Sequence, residues 1–232
     1  KTGCKKFIAY FQAYTNTYGD ISYLRNIYLE ALSHPDIVAL SIATRPDCIG
    51  TDVLALLSEL SRIKPVWVEL GLQTIHAATA AFIRSGFTLD CFFNTVSRLH
   101  SAGLPVIVHL ILGLPNETKE MMLSSVDMVA SLPVSGIKLQ LLHILKNTDL
   151  ADYYARHAFP LFTMEEYCAF IPQCLARLPR SMVVHRITGD GPRQLLIAPM
   201  WSADKKRVLN RIHKNMELFD LWQGKFYPPQ SP

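Results

Sequence analysis

The sequence predicts an α/β fold, an incomplete barrel of parallel βα units followed by a C-terminal α/β extension. Three observations carry this. Strand-like runs recur every thirty to forty residues. Helical patterns lie between them, and that alternation produces right-handed βαβ units on a parallel sheet. Polar residues interrupt three successive strands, where a parallel sheet covered by helices should be nearly all apolar. No G-x-G-x-x-G follows the first strand, so a dinucleotide-binding doubly wound sheet is disfavoured.

The strand-like runs start near Lys6 (KFIAYFQAY), Asp36 (DIVALSIA), Pro65 (VWVELG), Leu104 (PVIVHLILG) and Gly136 (IKLQLLHI). After the first, Leu24, Ile27, Tyr28 and Ala31 stand at i, i+3, i+4, i+7 behind Ser22 as a possible cap. Val53, Leu56, Leu57 and Leu60 repeat that spacing behind Thr51. Thr118 to Ser131 carries Met122, Val126 and Val129 on one helical stripe. Five βα units are visible and a closed barrel has eight. The chain opens on a strand with Lys as its first residue, so at least one N-terminal unit is expected to be missing. Residues 1–150 form the barrel part. Residues 151–232 form the extension: helices near Tyr153 and over Met164 to Leu178, a short strand Val183 to Ile187, a loop Thr188 to Pro192, and a basic helix from Asp204 to Phe219.

Composition narrows the class. Of 232 residues, 50% are hydrophobic and 18% charged, which is a chain with a sizeable core rather than a disordered one. The longest nearly apolar stretch, Leu104 to Pro115, contains His109 and falls short of the roughly 20 residues of a spanning helix. No basic-then-apolar leader is visible. Five cysteines at wide spacings read as reduced thiols in a cytoplasmic protein with no membrane association. Net charge is +4, from 23 Lys and Arg against 19 Asp and Glu. From Trp201 onward there are six cations and three acids, so +3 of the +4 lies in that tail. Such a bias permits a polyanionic partner.

In barrels of this kind chemistry sits where strands end at their carboxyl edge. Reading those edges gives Gln12, Thr15 and Asn16; then Thr44, Arg45, Pro46 and Asp47; then Glu69 to Gln73; then Leu112 to Thr118; then Leu141 to Thr148. Side chains alternate along a strand, so Lys138 and Gln140 share a face. With helices outside, these two, Glu69 and His109 point inward, toward a polar ligand or into a structural Glu69–Lys138 ion pair. Arg45 is able to fork to a carboxylate, or to pair with Asp47 at the surface. Gly113 permits close backbone approach. Glu117 opens a helix, where a carboxylate suits the dipole. His143 and Lys146 are candidate acid/base groups, and Asp190 in the T-G-D-G-P loop joins them as a candidate catalytic residue. The expected cavity is lined by Arg45, Glu69, His109 and Lys138, with Gly113 at its rim.

Six segments in order carry a resemblance: F-I-A-Y-F-Q-A-Y-T-N-T-Y, S-I-A-T-R-P-D-C, V-E-L-G-L-Q-T, H-L-I-L-G-L-P-N-E-T, G-I-K-L-Q-L-L-H-I-L-K-N-T and H-R-I-T-G-D-G-P. Together they resemble the radical S-adenosylmethionine proteins of the branch similar to the catalytic subunit of Elongator, the bacterial YhcC/YtqA-type family. The resemblance runs from about Lys6 to about Gln223. It implies a partial (βα)6-type TIM-like barrel, N-terminal unit missing, that binds a 4Fe-4S cluster and S-adenosylmethionine. Reductive cleavage of the sulfonium then gives a 5′-deoxyadenosyl radical. By the same resemblance Thr44, Arg45, Glu69, Gln73, Gly113 and Glu117 face the cofactor, and His109 and Lys138 join them from their inward-facing positions on the strands. The family's cysteine loop is absent, and Cys4, with no second cysteine before Cys48, does not replace it. Cluster ligation takes three thiolates, so no metal ligand is assigned in this chain. The implied partners are S-adenosylmethionine, transfer RNA and an electron donor such as flavodoxin or ferredoxin. The basic helix Lys205 to Lys214 is the place to look for RNA, or is a solvated amphipathic helix. Two other classes stay open: a Schiff-base, aldolase-like lyase using Lys138 or Lys146, and a non-enzymatic RNA-binding module.

Overall fold

The computed structural model describes residues 3–189 and 191–228. In chain order the elements are β1 (Phe7–Phe11), α1 (Ile21–Ser33), β2 (Ile37–Thr44), α2 (Thr51–Ser61), β3 (Val66–Gln73), α3 (Ala77–Phe82), α4 (Leu89–Ser101), β4 (Val106–Leu112), α5 (Lys119–Ala130), β5 (Gly136–Leu141), β6 (Ile144–Leu145), α6 (Asp149–Arg156), α7 (Met164–Ala176), β7 (Val183–Arg186), β8 (Leu196–Ala198) and α8 (Lys205–Leu218). Six strands make one sheet in the order β1-β2-β3-β4-β5-β7, and β6 and β8 pair antiparallel in a second, two-stranded sheet. The fold is α/β, as the strand–helix alternation requires. The strand after residue 150, β7, joins the main sheet as its sixth member.

The described residues divide into two compact units. The first runs up to His109 and includes Pro133–Gly136; the second takes in the rest.

In the first unit, β1 pairs parallel with β2 and β2 with β3, in a register that sets Tyr10 beside Ser41, Ser41 beside Trp67 and Ala43 beside Glu69. β2 and β3 are built largely from Val, Ile, Leu and Ala, as strands covered on both faces are, with polar residues at Ser41, Glu69 and Gln73. Their partners are apolar helix stripes: Val53, Leu56, Leu57 and Leu60 of α2, all buried as predicted, and Leu24, Tyr28 and Leu32 of α1, where the predicted Ile27 and Ala31 are only half-buried. Burying a Leu of this kind is worth about 1.5–3 kcal/mol. The caps differ from the sequence reading. Asp20, not Ser22, caps α1, accepting from the backbone of Ser22 and Tyr23. Gly50 precedes α2, and Thr51 is already helical. A Thr at position 88 caps α4, whose Phe92, Thr95, Val96 and Leu99 form a stripe that the sequence reading passed over.

In the second unit, Thr118 caps α5 by accepting from Met121 N. Glu117 therefore lies outside the helix. The first-turn carboxylate is Glu120, held below its usual range by backbone and Thr118 hydrogen bonds. A capping box of Thr163 and Glu166 starts α7, which is buried along most of its length and packs against α8. The run predicted as one strand after Gly136 breaks at Leu142 and His143 into β5 and the short β6.

Candidate active site

Glu69 is the organising carboxylate of the first unit. It is buried near the end of β3, 3% exposed, and takes hydrogen bonds on both oxygens. Ser41 donates to Oε1 at 2.6 Å, Tyr10 donates to Oε2 at 2.8 Å, and His109 Nε2 lies 2.7 Å from Oε2. A buried carboxylate is tolerated only when it is satisfied in this way. The register explains why: Tyr10 and Ser41 are level across β1 and β2, two positions short of the residue facing Glu69, within reach of a long side chain. Thr44 is also buried, its hydroxyl 2.6 Å from that of Thr17.

Gln73, at the carboxyl end of β3, is held unlike any of these. Its φ is +69°, in the left-handed region that a residue with a side chain rarely adopts. Thr74 N–H donates across it to Leu72 C=O at 2.9 Å, the hydrogen-bond pattern of a γ-turn. Its side chain folds back over Gly71, where a Cβ would stand 2.7 Å from Gln73 Nε2. Its Oε1 is buried and has no hydrogen-bond partner among the described residues. Strain of this sort persists only where the surroundings impose it, and it clusters at functional sites. An acceptor left bare in a buried position costs about 1–3 kcal/mol. The two features together leave an acceptor that could receive a ligand N–H or O–H.

Arg45 is not among the inward-facing residues. Its Nε and Nη2 donate to the two carboxylate oxygens of Asp47 at 3.0 and 2.7 Å, and its side chain is 43% exposed. The hydrogen bonds raise the guanidinium's affinity for its proton and hold the Asp47 carboxyl below its usual range. In this structure, then, Arg45 forks to Asp47. Of the expected cavity set, Glu69 and His109 come together; Lys138, in the second unit, is buried on β5.

In the second unit, Gly113 has a φ of +91°, and a Cβ there would stand 3.1 Å from the Phe162 ring. It borders a cavity of about 430 Å³ lined also by Glu117, Lys119, Met122, Phe162 and Glu166. Trp201 Nε1 fixes Phe162 by donating to its carbonyl at 3.0 Å. His143 is clamped by Gly189 and Gly191 of the T-G-D-G-P loop. Gly191 N–H donates to its Nδ1 at 3.1 Å, and a Cβ at Gly189 would fall 2.1 Å from its Nε2. His143 thus anchors the loop, and the two glycines are there because the imidazole fills the space. Lys146 is exposed after β6. Asp190 lies outside the described residues. Tyr10 and Ser41, the residues that hold Glu69, were missed because a Tyr and a Ser in a strand carry no motif. Their signal was the register that aligns them.

The Radical SAM superfamily model matches residues 1–129, and the Radical_SAM C-terminal domain model matches residues 134–218. The chain is similar to protein YtqA of Bacillus subtilis (strain 168), 43% identical over 222 residues, 96% of this chain and 69% of YtqA. It is similar to protein YhcC of Escherichia coli (strain K12), 37% identical over 202 residues, 87% of this chain and 65% of YhcC. It thus spans about two thirds of the length of each. A fainter likeness, 26% over 183 residues, joins 78% of this chain to 33% of the tRNA uridine(34) acetyltransferase of Methanocaldococcus jannaschii. Among solved structures, the archaeal Methanocaldococcus infernus Elp3 with an N-terminal deletion superposes with a TM-score of 0.81 at 20% identity, over 95% of this chain and 56% of that one.

Proposed function

This chain belongs to the radical SAM superfamily, and from that premise we propose that it binds S-adenosylmethionine at the carboxyl ends of its strands and serves an enzyme acting on transfer RNA. The observation that carries the cofactor half is Gln73, whose strained backbone and bare buried acceptor await a donor. S-adenosylmethionine offers several: its ammonium, its ribose hydroxyls and its adenine amine. Glu69 and the groups that hydrogen-bond to it supply a fixed polar centre on the same strand. Thr44, Arg45, Gly113 and Glu117 stay in the proposal on the resemblance of their segments, and His109 and Lys138 on their place in the polar strands. The RNA half draws on the likeness to the uridine(34) acetyltransferase.

The superfamily implies a 4Fe-4S cluster beside S-adenosylmethionine. The residues fit the second and not the first. Among the described residues no three His, Cys, Asp or Glu come together to hold a metal ion. Cys4 is exposed, Cys48 and Cys91 half-buried, and Cys168 and Cys174 buried in α7. Cluster ligation needs three thiolates in one place, so no step of the reaction is assigned through it to these side chains. What these residues do is bind, orient and exclude water.

Equilibrium dialysis of labelled S-adenosylmethionine against the 232-residue chain, with a gel-shift titration of a transfer RNA transcript, tests both halves. Saturable binding of each is expected. Absence of saturable cofactor binding at millimolar concentration overturns the first half, and absence of an RNA shift at low salt overturns the second.

A further inference from the structure

We propose that the outer face of α8, with the groove it forms along the start of α7, is the docking surface for the phosphate backbone of the RNA. This rests on the reading of the substrate as RNA and adds where that substrate is held. Lys206, Arg207, Asn210, Arg211 and Lys214 line one groove of about 430 Å³ in the second unit, and all five are exposed. They share a face because residues three and four apart on a helix are neighbours. The opposite face, Val208, Ile212 and Asn215, is buried, and α8 packs on α7. The cations are therefore carried on a fixed element rather than on a tail.

They are grouped on one face, and no carboxylate among the described residues pairs with them. Arg25, Arg45, Lys119, Arg177 and Lys225 each meet a carboxylate within 4.0 Å. Among the described residues, Lys206, Arg207, Arg211 and Lys214 meet none. Two acids line the groove, Glu165 and Asp204, and Asp204 Oδ1 is engaged in capping α8 through Arg207 N–H at 3.1 Å. Like charges at i and i+4, as at Arg207 and Arg211, work against the helix that displays them. A polyanion laid in the groove relieves that repulsion and releases its own counterions. Asn210 adds a neutral donor suited to a phosphate oxygen.

An anionic bilayer is the competing occupant, and the packing disfavours it. A helix that binds in a membrane surface inserts its apolar face. That face of α8 is already spent, with Val208 at 1% and Ile212 at 0% exposure.

The test is the salt dependence of binding of a transfer RNA transcript to the whole chain and to the triple variant Arg207→Gln, Arg211→Gln, Lys214→Gln. Circular dichroism and S-adenosylmethionine dialysis serve as controls for fold and for the other site. Each phosphate contact contributes about 0.7 to 0.9 to the slope of log K against log salt. The triple variant should bind at least tenfold more weakly at low salt, with a slope shallower by about 2, and with cofactor binding unchanged. Equal affinity and slope for parent and variant overturn the surface and leave the RNA reading standing. No RNA binding by the parent overturns both. RNA binding unaffected while binding to phosphatidylserine vesicles is lost gives the face to lipid, and tight binding of polyglutamate with the same slope gives it to an acidic protein; either result overturns the proposal.

Discussion

His109 Nε2 and Glu69 Oε2 stand 2.7 Å apart, and the carboxylate that holds the imidazole also receives Tyr10 and Ser41. Three side chains from three neighbouring strands thus meet at one buried carboxyl group. Glu69→Ala strips a shared acceptor from three donors and should cost about 1–3 kcal/mol for each donor left without a partner. Glu69→Gln keeps an acceptor oxygen and should cost less. Urea unfolding of both variants checks this, and equal stability of Glu69→Ala and the parent would show that the donors find other acceptors at no cost.

Arg45→Ala should change stability by less than about 1 kcal/mol, since the pair with Asp47 is exposed and surface pairs of this kind are worth that or less. The Asp47 carboxyl is held below its usual range by Arg45, so the pair's contribution is present at neutral pH and is lost as pH falls through the carboxylate range. A urea series on Arg45→Ala at neutral and acid pH checks both size and direction.

The thiols give a second pH dependence. Burial raises the Cys168 thiol to about 11 and pushes Cys174 further up. The folded chain keeps protons there that the unfolded chain sheds from the ordinary thiol range, near 8.5. The native state therefore binds more protons, and stability should fall as pH rises through that range toward 11. Tyr28, raised by burial, pulls the same way. Thermal unfolding between pH 8 and 10.5 should show a falling midpoint, and at pH 8 a thiol reagent should label exposed Cys4 while sparing Cys168 and Cys174 in the native chain.

Iron uptake should be well below one atom per chain after anaerobic reconstitution of the 232 residues, because the five thiols do not converge. Iron analysis with an absorbance scan near 400 nm checks it. A stoichiometric cluster would mean that scattered cysteines move together.

The apolar stripes of α1 and α2 and the strand runs were legible in the sequence because period and burial go together. The caps at Asp20 and Gly50 were not, since Ser22 and Thr51 are equally good cap residues and only the backbone chooses between them. The end of the run after Gly136 was unreadable for a similar reason: nothing in L-L-H-I marks where the strand breaks. At the site, Glu69 and His109 were legible as charges out of place in apolar strands. Tyr10 and Ser41 were not, because their role comes from register. Arg45 was readable both as a ligand fork and as a partner of Asp47, and the pair with Asp47 is present in the structure. Gln73 entered through a motif, while the property that singles it out, a left-handed φ with a bare buried acceptor, exists only in three dimensions.

The decisive measurement is on Gln73→Leu: thermal unfolding with and without S-adenosylmethionine. Removing a bare buried acceptor should raise the midpoint in the absence of ligand, as sites kept for function are often stabilised by mutation. The same change removes the acceptor that receives the ligand's donor, so the ligand-induced rise should shrink, with affinity lower by about tenfold for each 1.4 kcal/mol lost. Opposite signs for the two effects are the expected result. A Gln73→Leu chain that shows the parent's full S-adenosylmethionine shift would contradict the assignment of this strand end to the cofactor.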